Sequence, residues 1–184
     1  MRGRNLPKFL LSVLVVGISW PLMSVQADGR ERVGVPTQRA GEQARNMASL
    51  QPDPKYSPEQ VVRIQIEALG KKDIPHTNAG IEIAFRFASP ANKRITGPLE
   101  RFTRMVSGPV YEPMLSYREA QYGEIQATED QAVQAVVLTT ADGKKVGYLF
   151  SLSKQKVGRY ATCWMTDSVT RFEVQSGPNP LFMI

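Results

Sequence analysis

From Ser57 to Val106 the apolar residues recur at helical spacing. Val62, Ile66 and Leu69 form one stripe, and Val61, Ile64 and Ala68 widen it. Ser57-Pro58-Glu59-Gln60 marks its start. Serine suits the N-cap, proline the first helical position, where no N–H is needed, and glutamine the capping-box position. Gly70 is expected in the left-handed position that closes the helix, with Lys71 and Lys72 beyond it to complement the dipole. A loop through Pro75, His76 and Asn78 follows. Ile81, Ala84, Phe85 and Ala88 then predict a second helix, ended by Ser89-Pro90. Asn92-Lys93-Arg94 reads as an exposed basic bend. A third helix opens at Gly97-Pro98, buries Leu99, Phe102, Met105 and Val106, and stops at Ser107-Gly108-Pro109, where the chain becomes extended.

The later pattern has a period of two. Met114 to Gly123 predicts a first strand with imperfect alternation, and Ala132 to Thr140 a second. Ala141-Asp142-Gly143 is a hairpin signal. In the third strand Val146, Tyr148, Phe150 and Leu152 share one face. Gly147, Leu149, Ser151 and Ser153 make a less oily opposite face. Gln155 to Gly158 turns the chain, and Tyr160 to Phe172 predicts the fourth strand. Helices followed by an antiparallel meander of four or more strands give an α+β class.

The N-terminus is organised for export. Arg2, Arg4 and Lys8 precede an apolar run from Phe9 to Met23, and Val25-Gln26-Ala27 presents the small residues that signal peptidase reads. A signal peptide over 1–27 is the expectation, with an uncleaved anchor as the alternative. Its removal lowers the formal net charge from +6 to +3, which does not argue for nucleic acid. Residues 28–55 are polar and rich in glycine and proline, and read as a flexible leader with room for a short peripheral helix between Gly41 and Leu50. The domain is expected over 56–172. The remainder, 173–184, reads as an apolar tail ending in Leu181 to Ile184.

Three segments carry a resemblance: FRFASPANKRITGPLERFTRMV (85–106), YEPMLSYR (111–118) and CWMTDSV (163–169). Together they resemble an exported domain-of-unknown-function family of the nuclear-transport-factor-like superfamily, over roughly Ser57 to Phe172. The resemblance implies an α+β cone, with N-terminal helices packed on a strongly curved antiparallel sheet around a conical cavity. It also implies pairing of two copies through the sheet face as one mode of assembly. It transfers no catalytic residue, because superfamily members differ in function.

Motif chemistry is sparse. Cys163 is the only cysteine and His76 the only histidine, so an internal disulfide and a multi-histidine metal site are excluded within this sequence. Cys163 is expected to be buried in a strand, and His76 to be exposed. Arg86 is either exposed or paired with Glu82 one helical turn away. No phosphate loop, zinc-protease helix or nucleophile elbow is present. No cofactor or metal is expected. Tyr117, Tyr148 and Trp164 are the candidate ligand-lining residues, with core packing as the competing role. The leading functional expectation is a non-enzymatic exported domain that binds a partner protein or a small apolar ligand. The alternative is a small-molecule isomerase or lyase with a pocket carboxylate, such as Asp73 or Asp167, beside Tyr117, Tyr122, Tyr148 or Tyr160.

Overall fold

Helix α1, Pro58–Gly70, begins where its capping signature predicts. The Ser57 hydroxyl accepts from the Gln60 N–H at 3.2 Å, and the Gln60 side chain accepts from the Ser57 N–H at 2.8 Å. These are residues of a computed structural model that describes residue 42 and residues 46–174. The proposed signal peptide, most of the leader and the apolar chain end lie outside the described residues. Val61, Val62, Ile66, Ala68 and Leu69 are buried along α1. Each large aliphatic side chain removed from water contributes about 1.5–3 kcal/mol. Gly70 does not take the left-handed position expected of it. It is the last helical residue, and Lys71 is the cap. Glycine is needed there because a Cβ would lie 2.8 Å from the Tyr117 ring.

Helix α2, Ala79–Phe87, buries Ile81, Ile83, Ala84 and Phe87. It crosses α1 at Gly80, where an added Cβ would sit 1.9 Å from the Ala68 carbonyl oxygen. The exposed basic bend expected next is instead a helix, α3, Pro90–Thr96. Ser89-Pro90 repeats the signature of Ser57-Pro58: the Ser89 hydroxyl accepts from the Asn92 N–H at 3.1 Å, with proline in the first turn. Helix α4, Leu99–Val106, buries Phe102 and Val106 and half-buries Leu99 and Met105.

The segment expected to open the first strand at Met114 forms a single helical turn, α5, Pro113–Ser116. Proline at its start favours that turn, and Met114 is buried within it. The sheet begins only at β1, Glu119–Tyr122, and continues with β2, Gln126–Ala127, β3, Gln131–Thr139, β4, Lys145–Lys154, and β5, Trp164–Glu173. The five strands form one antiparallel sheet in the order β1-β3-β4-β5, with β2 also paired to β3. The β3–β4 hairpin turns at Gly143, whose φ of +83° is open to glycine. Val136, Leu138, Val146, Tyr148, Phe150 and Leu152 are buried and join the core under α1 and α2.

The molecule is therefore α+β, with helices preceding an antiparallel sheet. The strong curl implied by the resemblance is not seen. Curvature comes from repeated bulges and kinks, and along the β3–β4–β5 ladders the register slips once, between Ser151 and Leu152. The last strand also starts later than expected. Tyr160 lies in a short 3₁₀ turn, and Thr162, at φ +67°, redirects the chain before Trp164. Cys163 is buried just before β5, and burial raises its thiol pKa.

Residues 46–48 are helical, and Met47 and Leu50 pack against the core. Arg86 holds this segment. Its Nη1 donates to the carbonyls of Ala48 at 2.7 Å and Leu50 at 3.2 Å, while Nη2 lies 3.9 Å from Glu82. Among the described residues no helix is long and apolar enough to cross a membrane.

Candidate functional site

Under the short helices the inner face of the sheet is not fully covered. A cleft of about 230 Å³ opens there. Its walls come from Leu69, Ala84, Phe102, Met105, Tyr111 and Phe150, together with other mostly apolar side chains of α1 to α5, β4 and β5. Ile95, 71 % exposed, and Ser168, also exposed, lie at its solvent side. The volume suits a molecule of about nine heavy atoms, on the scale at which about 150 Å³ accepts benzene.

The polar groups of the cleft are mostly engaged with one another. Gln65, buried on α1, donates through Nε2 to the Ala84 carbonyl at 2.9 Å. Its Oε1 accepts from the buried Thr166 hydroxyl at 2.5 Å. The Thr166 carbonyl accepts from the Ser89 N–H at 2.8 Å and from Asn92 Nδ2 at 3.1 Å. Thr96 donates its hydroxyl back to Asn92. This chain of bonds ties α1, α2, α3 and β5 together. An unpaired buried amide or hydroxyl would cost about 1–3 kcal/mol.

Asp167 is different. Ser151 pairs with Ser168 and Leu152 with Thr166, which leaves Asp167 as the extra residue of a bulge. A bulge bends its strand and re-aims a side chain. Here it places Asp167 on the cleft. Among the described residues Asp167 enters no ion pair. Among the described residues it is the only formally charged one lining the space. The tyrosine on the same wall is Tyr111, whose hydroxyl donates to the Val169 carbonyl at 3.1 Å.

The three residues singled out in the sequence lie elsewhere. Tyr148 is fully buried, its hydroxyl donates to the Val110 carbonyl at 2.8 Å, and burial pushes its pKa up to about 12. Tyr117 caps the end of α5 rather than lying on a strand, and its hydroxyl donates to the Ile66 carbonyl at 3.0 Å. Trp164 is 9 % exposed, with Lys154 Nζ 5.8 Å from its ring centre. Tyr148 and Lys154, the strand partner of Trp164, are about 20 Å apart along β4 at ordinary strand rise. None of the three lines the cleft.

The remaining candidates are also dispersed. Tyr122 lies under Arg63, whose guanidinium is 4.3 Å from the ring centre, and burial pushes its pKa up to about 12. Exposed His76 sits 3.9 Å from Glu82. Asp73 accepts from the Asn78 N–H at 3.0 Å in the loop before α2. Lys93, on α3, donates to the Arg86 carbonyl at 2.8 Å between the rings of Phe85 and Tyr160. Burial, reinforced by the charge of Arg159, lowers its pKa to about 8. Among the described residues no three side chains of His, Cys, Asp or Glu gather as a metal site would require.

Comparison with known proteins places the chain at the level of a family. No curated protein and no solved structure matches it. A family model described as Domain of unknown function (DUF4864) matches residues 53–176, more than half of the chain. The matched span takes in helices α1 to α5, strands β1 to β5 and, among the described residues, every residue lining the cleft, and the chain belongs to that family.

Proposed function

We propose that this domain is a non-enzymatic binding module that takes a small, largely apolar ligand in the cleft between its short helices and β5. The observation that carries the proposal is the cleft itself: apolar walls, with Gln65, Thr166 and Asn92 already satisfied by internal bonds. Ligand sites combine such walls with a few placed polar groups. Against an isomerase or lyase stands Tyr111. Its single hydroxyl proton is given to Val169, so it is not free to polarise a substrate carbonyl.

Export belongs to the same proposal and rests on the Arg2 to Ala27 pattern. It falls if protein purified from its native source retains residues 1–27. Kinship with the nuclear-transport-factor-like superfamily is likewise our reading, supported by the order of elements and by a cleft between helices and sheet.

The binding test uses 2-phenylethanol, a neutral probe of suitable size. Titration followed by amide chemical shifts should move Thr166 to Val169 and the α4 residues. Val169→Trp fills the cleft and should abolish those shifts while leaving the unfolding midpoint nearly unchanged. Absence of the shifts in the natural protein, or their persistence in Val169→Trp, would overturn the proposal.

A further inference from the structure

The composition of the cleft says more about the occupant than its volume does. We infer that the ligand is a small aromatic or aliphatic amine, bound as its cation with the ammonium group at Asp167; this identity of the occupant rests on the cleft being a ligand site. Three observations converge on this chemistry.

The first is the charge inventory. Asp167 alone brings a formal charge to the lining, and it is negative. An anionic headgroup would lie beside a like charge within low-dielectric walls, where repulsion is strongest. Lys93, Arg94, Arg101 and Arg104 belong to α3 and α4 but do not line the cleft.

The second is the hydrogen-bond inventory. Gln65 Nε2, Asn92 Nδ2 and the hydroxyls of Thr96, Tyr111 and Thr166 all donate to protein acceptors. The hydroxyls of Thr96, Tyr111 and Thr166 have no second proton to give, so a ligand that needs donors is left with the second N–H of each amide and the Ser168 hydroxyl at the solvent side. A ligand that brings its own donors finds the Asp167 carboxylate.

The third is the aromatic part of the lining. Phe102 and Tyr111 both line the cleft. Aromatic faces attract cations and are indifferent or repulsive to anions. The bulge that puts Asp167 on the cleft is the only register slip in the β4–β5 ladder. The carboxylate is therefore placed by backbone geometry and held on a strand rather than on a loop.

The test compares three probes of one shape: phenethylamine, 2-phenylethanol and phenylacetate. Amide-shift titrations give their dissociation constants. The amine is expected to bind roughly tenfold more tightly than the alcohol, and phenylacetate most weakly. In Asp167→Asn the amine should fall to the level of the alcohol, with the alcohol unchanged. Asp167→Glu should keep the amine's advantage. Equal binding of amine and alcohol by the natural protein overturns this inference and leaves the cleft as a neutral ligand site. Survival of the amine's advantage in Asp167→Asn overturns it as well. Failure of all three probes overturns both the inference and the binding proposal beneath it.

Discussion

Helices α1 and α2 bury Val62, Ile66, Ile81, Ile83 and Phe87 completely, whereas α3 buries no residue and α4 only Phe102 and Val106. Both groups cover the same sheet. The difference follows from length and punctuation. With 13 and 9 residues, α1 and α2 can each sustain an apolar stripe over several turns. The 7, 8 and 4 residues of α3, α4 and α5 are divided by Gly97-Pro98 and Ser107-Gly108-Pro109. Helices interrupted so often cannot sustain one continuous apolar stripe. The half that packs supplies stability, and the half that does not supplies the cleft.

Substitutions can break this contrast at its firmest point. Gly80→Ala should be the most damaging, because its Cβ would meet the backbone of α1 rather than a movable side chain. We expect a loss of roughly 3 kcal/mol or more, at the upper end of overpacking effects. Urea unfolding measures it; a loss below about 1 kcal/mol would mean that the two helices are free to separate. In the same assay Ile66→Ala should cost about 3–4 kcal/mol and Met105→Ala about 1 kcal/mol or less, since Met105 already borders open space. Equal losses at the two positions would remove the distinction between the halves.

The smallest effect is electrostatic. Lys93 has a folded pKa of about 8, below the ordinary lysine value of about 10.4. Between those values the unfolded chain holds a proton that the folded chain lacks. Stability therefore rises with pH across that window through this group. Partial exposure limits the gain to about 1 kcal/mol or less. Tyr122 and Tyr148, pushed up to about 12, act oppositely above pH of about 10, where unfolded tyrosines ionise first. The check is the difference in urea midpoint between the natural protein and Lys93→Met from pH of about 8 to about 9.5. A pH-independent difference would place Lys93 in a better-solvated setting than its ring neighbours suggest.

What the sequence reveals divides along the same line. Ser57-Pro58-Gln60 and the stripe behind it predict α1 because cap and periodicity agree. Asp142-Gly143 likewise predicts the hairpin that forms. Ser89-Pro90 carries the same capping signal as Ser57-Pro58, but α3 lacks an apolar stripe and so reads as a bend. Met114 to Tyr117 is too short for periodicity to separate helix from strand, and Pro113 is the one sign of a turn. The position of Asp167 depends on which residues of β4 it fails to pair with. That register belongs to two strands at once and is not written in either. A trace survives in the spacing of three, rather than two, between buried Thr166 and core-packed Val169. The cleft has no local signal, because it is the volume that neighbouring helices leave unfilled. Tyr148 and Trp164 drew notice as large aromatics, and size is what places them in the packed interior.

Cys163 has a consequence for how this fold forms. The residue is 2 % exposed and its thiol is less acidic than a free one, and the sequence offers it no second cysteine. No disulfide within this sequence contributes to the native state, and the one thiol is kept from solvent by the packing before β5.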